Sequence, residues 1–348
     1  MIVVTGGAGF IGSNIVAALA ARHPGKIIIS DRLRTGCKWL NIAKHEIGGL
    51  VSPDELFELL EEDRGRIEAI VHMGAISSTT ETDADLIADT NFKLSMRLWR
   101  WCAEHQVRFI YASSAATYGD GSHGFSDDHT PEALARFHPL NAYGWSKHVF
   151  DRWAVRMAGG DGAPMWQDGN RRDRSDRAGK GAGRPPQWVG LKFFNVYGPN
   201  EYHKHDMQSI VAKNFPKVAV GDAVQLFKSH HPDYQDGGQL RDFVYVKDCV
   251  SIVEWMLENP HINGIFNVGT GAARSFGDLA AALFRATGQS PRIEYVDMPE
   301  SLRSRYQYFT QADINALRAA GYDRPMTSLE EGVSDYVINY LSQQDPYG

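Results

Sequence analysis

The chain of 348 residues has only three cysteines, Cys37, Cys102 and Cys249, and no two of them form a C-x-x-C pair. Their scarcity excludes a disulfide framework, and nothing in them requires an oxidising compartment. No apolar run approaches the length of a membrane-spanning helix, and no basic, apolar leader precedes the first predicted strand. Lys and Arg (36) are fewer than Asp and Glu (42), which gives a net charge of −6. That balance argues against nucleic acid or a membrane as the main partner, so we expect a cytoplasmic protein.

The stretch that is present and most informative is the first thirty-one residues. A β-branched run, Ile2 to Val4, leads into Thr5-Gly6-Gly7-Ala8-Gly9-Phe10-Ile11-Gly12, after which apolar residues recur at helical spacing. A second aliphatic run ends in Asp31, nineteen residues after Gly12. Strand, glycine turn, helix and a strand closed by an acid are typical of a dinucleotide site, because the pyrophosphate needs bare backbone N–H groups at a helix N-terminus. Asp31 would bind the adenosine ribose.

The residues after Asp31 leave the choice of dinucleotide open. A lone carboxylate favours NAD, because it repels the 2′-phosphate of NADP. Arg32, Arg34 and Lys38 follow at once and could clamp that phosphate, although they could equally form a solvated basic loop.

A second cluster predicts acid–base chemistry. Ser114 ends a predicted strand, and Tyr143 and Lys147 stand four apart, so that they share one face of a predicted helix. An ammonium beside a phenol favours the phenolate, and a serine hydroxyl can stabilise charge on a reacting oxygen. His230, His231 and Asp233 lie on one loop without a second ligand pair, so we predict no metal site.

Strands that alternate with helices predict an α/β fold, a Rossmann doubly wound parallel sheet followed by a smaller C-terminal α/β substrate lobe. We place the dinucleotide-binding domain at 1–195 and the lobe at 196–348, with about 247–270 returning to the sheet. Residues 159–187, rich in Arg, Asp and Gly, predict a surface insertion, and a helix is expected from about Met207.

Motifs along most of the chain resemble the ADP-glyceromanno-heptose 6-epimerases, which are extended short-chain dehydrogenases/reductases. The glycine turn and Y-x-x-x-K are common to that superfamily. More specific are Ser77-Ser78-Thr79-Thr80-Glu81, the pair His203-Lys204 after Phe194–Pro199, and the segment from Arg305 to Asp313. The resemblance implies a tightly bound NADP (NAD is possible), inversion at C6 of an ADP-heptose for the lipopolysaccharide core, and a homo-oligomer, typically a pentamer.

The resemblance also implies roles for individual residues. Ser114, Tyr143 and Lys147 would be catalytic, and Lys204 would be a second acid–base group. Cofactor-binding residues would be Gly6, Gly9, Phe10, Ile11, Gly12, Asp31, Arg32, Lys38, Met73, Gly74, Ala75, Ile76, Ser77, Asn91 and Lys147. Substrate-binding residues would be Ser114, Asn195, Val196, Asp206, Lys213, Phe227, Lys228, Ser229, His230, Arg241 and Tyr306.

Some positions depart from the family pattern. Members usually have glycine and then a small hydroxyl residue after the His-Lys pair, where this chain has His205 and Asp206. The alternatives are another nucleotide-sugar enzyme, such as a UDP-hexose 4-epimerase or a dehydratase, and a catalytically silent cofactor-sensing protein. Ala115 and Ala116 stand where dehydratases commonly place acidic residues, which disfavours dehydration.

Overall fold

The structure is a computed structural model that describes residues 1–159, 183–303 and 306–348. Most of the predicted insertion, and Arg305, lie outside these residues. The strands are β1 (Ile2–Thr5), β2 (Ile27–Ser30), β3 (Gly49–Val51), β4 (Ala69–His72), β5 (Arg108–Ser114), β6 (Trp188–Phe193), β7 (Asn195–Tyr197), β8 (Val224–Phe227), β9 (Leu240–Tyr245), β10 (Gly264–Val268), β11 (Ala273–Ser275) and β12 (Ile293–Val296). The helices are α1 (Phe10–Arg22), α2 (Leu56–Glu62), α3 (Ala84–Ile87), α4 (Leu94–His105), α5 (Pro131–Leu134), α6 (Ala142–Gly159), α7 (Ile210–Ala219), α8 (Val246–Glu258), α9 (Phe276–Thr287), α10 (Glu300–Arg303), α11 (Asn315–Ala319) and α12 (Leu329–Tyr336).

Seven strands form one parallel sheet in the order β3-β2-β1-β4-β5-β6-β10. The chain runs outward from β1 to β3 and then starts again on the other side with β4, so the order reverses between β1 and β4. Crevices outside the carboxyl ends of the strands at such a reversal are where open α/β sheets bind ligands. The sheet therefore confirms the predicted Rossmann architecture and places the site beside Thr5 and His72.

Helices cover both faces of this sheet because its buried strands present apolar side chains on alternate sides. Val4 packs with Ile15 of α1 and Ile252 of α8 in one cluster. Val3 packs on the other face, with Trp99 of α4 and Phe150 of α6. A core on each face fixes both helical layers, and with them the turn between β1 and α1.

The remaining elements form two small sheets with their own apolar core. One sheet has the order β11-β9-β7, and the other pairs β12 with β8. Helices α7, α9 and α12 contribute Val211, Leu283 and Val333 to the core beneath them. Strand β10 pairs with β6 in the large sheet. The domain boundaries given above stay a prediction.

Local structure differs from prediction at two places that bear on the site. The helix expected from about Met207 begins at Ile210, because the Ser209 side chain caps it by accepting from the Ala212 amide. Tyr202–Met207 forms a 3-10 segment in which His205 has non-helical angles, φ 47° and ψ −118°. The predicted helix at 83–104 contains a π-helical turn at Ala88–Lys93, and this turn carries Asn91. No helix in the described parts of the chain is both long and apolar enough to cross a membrane.

Candidate functional site

The glycine turn between β1 and α1 leaves no room for side chains. A Cβ on Gly12 would lie 2.1 Å from the Gly6 carbonyl oxygen, and a Cβ on Gly6 would lie 2.6 Å from the Gly74 backbone. Gly6 also has φ +66°, which side chains disfavour. The turn therefore brings three backbone segments together at the N-terminus of α1, where amide groups and the helix dipole favour phosphate. This cradle fits a dinucleotide pyrophosphate.

Asp31, at the end of β2, is held beside this turn. Its Oδ2 accepts from the Ala8 amide at 2.9 Å, and its Oδ1 lies 2.5 Å from the Lys38 ammonium. The Lys38 and Asp31 side chains are 19% and 10% exposed, so water screens the pair only partly. Arg32 instead makes a two-pronged ion pair with Asp54 at 2.7 and 2.8 Å, and both side chains are exposed. Of the predicted basic residues, Lys38 is thus the one tied to the ribose-binding carboxylate.

The segment Met73–Ser77 leaves β4 directly opposite the glycine turn. Asn91 holds its middle: the Asn91 carboxamide oxygen accepts from the Ile76 amide at 2.8 Å, and its nitrogen donates to the Ile76 carbonyl at 2.9 Å. The π-helical turn thus delivers one amide side chain to both polar groups of one peptide.

His72, the last residue of β4, is buried between Thr5 (2.6 Å) and Ser95 (2.9 Å). Burial, reinforced by the positive charge of Lys147, lowers the pKa of His72 to about 3. The imidazole is therefore neutral and ties β1 to β4 at the reversal of strand order.

Ser114, Tyr143 and Lys147 come together at the carboxyl end of β5. The Ser114 hydroxyl bonds the Tyr143 phenol and accepts from the Ala116 amide at 3.1 Å. Lys147 lies one helical turn beyond Tyr143, and its Nζ donates to the Ala112 carbonyl at 2.8 Å. A phenol, a hydroxyl and an ammonium therefore share one buried corner.

The pKa shifts at this corner differ in part from the sequence-based expectation. Burial raises the pKa of Tyr143, and the Ser114 hydrogen bond partly opposes this rise. Burial lowers the pKa of Lys147 to about 8, with Asp151 opposing. The interaction that favours the phenolate is thus the Ser114 hydroxyl.

Lys204 lies in the Tyr202–Met207 segment, with its Nζ 4.8 Å from the centroid of the Phe10 ring. Phe10 is the first residue of α1, so Lys204 stands beside the glycine turn. Burial and the charge of Lys213 lower the pKa of Lys204, while Glu201 raises it. Glu201 is fully buried and accepts from the amide and hydroxyl of Ser209, each at 2.6 Å. Lys204 is therefore a partly desolvated amine on a segment anchored by its neighbour.

The predicted substrate residues fall into groups by their contacts. Arg241 lies over the Tyr306 ring (5.2 Å), and Tyr306 meets Phe227 edge-on (6.5 Å). Burial lowers the pKa of Arg241. Near this group, the His230 amide donates to the Tyr308 hydroxyl at 3.1 Å, and Lys228 lies 3.5 Å from Asp297.

The other substrate residues lie elsewhere along the lobe. Lys213 of α7 donates to the Asp206 carbonyl, so Asp206 contributes its main chain to that contact. Asn195 and Val196 form strand β7, with Asn195 exposed and Val196 half-buried. The Ser229 amide donates to Asp236 within the loop after β8.

Sequence reasoning missed three polar residues in this region. Asn41 is buried, donates to the Ala8 carbonyl at 2.9 Å and contacts His203, so it links the glycine turn to the Lys204 segment. No local pattern marks it. Asp151 and Lys192 form a buried pair behind Ser114. Asp151 could have been found, because it continues the spacing of four from Tyr143 through Lys147.

Comparison with known proteins agrees with this geometry. Residues 2–269 match the model of the NAD dependent epimerase/dehydratase family. An ADP-L-glycero-D-manno-heptose-6-epimerase of Fusobacterium nucleatum is 48% identical, and one of Nitratidesulfovibrio vulgaris is 47% identical, each over the full length of both chains.

Solved structures show the same fold. The Helicobacter pylori ADP-L-glycero-D-manno-heptose-6-epimerase aligns with a TM-score of 0.73 and 26% identity over 97% of this chain and 95% of that one. A Thermus thermophilus UDP-glucose 4-epimerase in complex with NAD gives a TM-score of 0.70 and 26% identity over 97% of each chain. The chain therefore belongs to the NAD dependent epimerase/dehydratase family and, within it, to the ADP-L-glycero-D-manno-heptose-6-epimerases.

Proposed function

We propose that this protein epimerises ADP-D-glycero-β-D-manno-heptose at C6 to the L-glycero form. The observation that carries the proposal is the partly desolvated Lys204 beside the glycine turn, in a chain that also has the Ser114, Tyr143 and Lys147 corner. Full-length identity to proteins named for this activity supports the choice of substrate.

The chain's residues fit a nicotinamide dinucleotide. The glycine cradle would hold the pyrophosphate, Asp31 and Lys38 the adenosine ribose, and Met73–Ser77 would line the opposite wall. When bound, the cofactor supplies reversible two-electron oxidation of a carbinol to a ketone, which makes a carbon without an acidic proton invertible.

We propose NADP as the preferred form. Lys38 pairs with Asp31 and so offsets the carboxylate charge that would otherwise repel a 2′-phosphate. Arg34 lies in the same exposed loop and could approach that phosphate from solvent.

Tyr143 would accept the proton of the sugar hydroxyl and return it in the reverse direction. The Ser114 hydroxyl, bonded to the phenol, would also donate to the reacting oxygen, and the Lys147 ammonium would favour the phenolate. A general acid–base group of this kind contributes roughly 10²–10⁴-fold.

Lys204 would exchange the proton when the sugar presents its other face. An amine whose pKa is lowered by burial can act as acid or base nearer neutral pH than an exposed lysine. Glu201 keeps this amine partly charged, which suits a group that must both give and take a proton.

Arg241 and Tyr306 would bind the ADP portion, because a guanidinium suits phosphate and an aromatic face suits a base. Asn195, Val196, Asp206, Lys213, Phe227, Lys228, Ser229 and His230 are the remaining proposed substrate residues. We also propose a cytoplasmic homo-oligomer, a pentamer by family resemblance. Light scattering on the purified protein measures its assembly directly.

The function is tested by incubating the purified protein with ADP-D-glycero-β-D-manno-heptose and, separately, with UDP-galactose. NMR then reports the configuration at C6 of the heptose and at C4 of the hexose. We expect inversion at C6 and an unchanged UDP-galactose. Inversion of the hexose alone would instead establish a 4-epimerase, and no change in either sugar would support a silent protein.

A further inference from the structure

A buried ion pair lies directly behind the catalytic corner. Asp151 of α6 is 0% exposed and Lys192 of β6 is 1% exposed, with Lys192 Nζ 3.6 Å from Asp151 Oδ2. Removing two charges from water is costly, and an apolar pair of similar size could fill the same space. Stability alone therefore does not account for the placement of this pair.

The pair holds the last four residues of β5 through a connected set of hydrogen bonds. Asp151 accepts from the Tyr111 hydroxyl at 3.0 Å and from the Ser113 hydroxyl at 2.7 Å. Lys192 donates to the Thr117 hydroxyl at 3.0 Å, and that hydroxyl donates to the Ser114 carbonyl at 2.8 Å. The remaining residue, Ala112, accepts from Lys147. Side chains 111 and 113 and main-chain groups 112 and 114 are thus all fixed.

Asp151 also stands one helical turn beyond Lys147, as Lys147 stands one turn beyond Tyr143. Both oxygens of its carboxylate accept hydrogen bonds, which is the pattern expected of the ionised form. Lys147 and Lys192 are two buried cations that share this carboxylate.

We propose that Asp151 and Lys192 are positioning residues for the epimerisation: Asp151 supplies the counter-charge of Lys147, and Lys192 fixes the main chain of Ser114 through Thr117. This inference rests on the function proposed above. Neither residue is required to touch the sugar, because each acts through a neighbour that does.

The charged surroundings of Lys147 support a dominant role for Asp151. On its own helix Lys147 faces Asp151 and Tyr143. From β4 it faces His72, which the low pKa of about 3 keeps neutral. Lys192 approaches from β6, and Asp151 is the residue that raises the pKa of Lys147 against burial.

Groups around Lys192 act on the same network. Asp127 raises its pKa, and burial lowers it. His148 of α6 has a pKa lowered to about 4 by burial and by Lys192, so it carries no charge near neutrality. The Tyr118 ring lies 4.3 Å from Lys192 Nζ and has a pKa raised by burial. Near neutral pH, the charges of this network are therefore those of Asp151, the two lysines and Asp127.

The sign of the charge effect follows from this arrangement. The Lys147 ammonium is lost as pH rises through its pKa of about 8. Without the Asp151 carboxylate, that pKa falls and the ammonium is lost at lower pH. The Asp151→Asn variant should therefore lose activity on the alkaline side earlier than the wild type.

The test measures kcat and KM against pH for the holoenzyme and its variants. For Asp151→Asn we expect the alkaline limb of kcat/KM to move down by about one pH unit, the lower end of shifts caused by a neighbouring charge. For Thr117→Val, which changes no charge, we expect kcat to fall about tenfold with KM and the limb unchanged, since about 1.4 kcal/mol corresponds to tenfold. Lys192→Met should lower kcat similarly, and Lys192→Arg should restore it.

Asp248→Asn is the matched control, because Asp248 is a buried carboxylate of α8 that accepts from Thr327 outside the corner. It should alter the melting temperature and leave the alkaline limb in place. An active wild type whose limb coincides with that of Asp151→Asn, or full kcat in Thr117→Val, would overturn the inference. If Asp151→Asn does not fold, the Thr117 and Lys192 variants decide. An inactive wild type would instead overturn the proposed function.

Discussion

The Lys204 ammonium lies 4.8 Å from the centroid of the Phe10 ring, so a residue of the second lobe stands at the start of the helix that follows the glycine turn. This contact brings a partly desolvated amine to the cofactor cradle, on an element separate from the one that carries Tyr143. The proposed two-base scheme depends on it.

Lys204→Met should lower kcat by roughly 10²–10⁴-fold, because the acid–base group is lost while the side-chain volume is nearly kept. Steady-state epimerisation followed by NMR or coupled chromatography measures it. Lys217→Met, at an exposed lysine of α7, is the control and should behave as wild type. Near-normal turnover in Lys204→Met would reject a second base at this position.

Tyr143→Phe should lower kcat by a similar factor and leave the cofactor bound, since the ring that fills the corner remains. Turnover and the dinucleotide content of the purified protein are the two measurements. Tyr295→Phe, at an exposed tyrosine of β12, controls for loss of a hydroxyl as such. Loss of the dinucleotide from Tyr143→Phe would mean that the residue supports binding rather than proton transfer.

Lys38→Ala should weaken NADP binding about tenfold or more and affect NAD much less, because the Asp31 charge is then no longer offset. Titration calorimetry with each dinucleotide gives both constants. Lys26→Ala, at another exposed lysine, should change neither. Equal weakening for the two dinucleotides would contradict a role in choosing between them.

Gly12→Ala should abolish dinucleotide binding and lower the free energy of unfolding by roughly 1–3 kcal/mol, because the new methyl group meets the Gly6 carbonyl oxygen. Thermal melting and absorbance of the bound cofactor report the two effects. Gly65→Ala, whose Cβ would have nothing within 4 Å, should melt like the wild type. A Gly12→Ala protein that retains its cofactor would show that the turn can widen.

His205→Gly should raise the free energy of unfolding by about 1 kcal/mol. His205 has φ +47° and ψ −118°, a conformation that costs roughly 1–3 kcal/mol for a side chain, and part of this gain is offset by the greater freedom of glycine in the unfolded chain. Chemical denaturation measures it. His261→Gly, at an exposed histidine without a positive φ, should destabilise slightly. A lower stability for His205→Gly would show that the imidazole makes compensating contacts.

Much of the fold could be predicted from local pattern. The glycine turn, the acid that closes β2 and the spacing of Tyr143 and Lys147 lie within single elements, where periodicity and stereochemistry act directly. Helix α9 coincides with the predicted Phe276–Thr287, because its Ser275–Asp278 capping box and Gly288 mark both ends. Strand β3 was missed, since Gly49–Val51 is too short to show alternation.

The sequence by itself determined that a dinucleotide cradle and a tyrosine–lysine helix exist, because both depend on neighbours a few residues apart. Only the tertiary structure decided that Lys38 pairs with Asp31 while Arg32 pairs with Asp54. It also decided that Lys204 reaches Phe10 and that Asp151 meets Lys192. These contacts join separate elements, and their formation depends on how helices and strands pack, which no local spacing encodes.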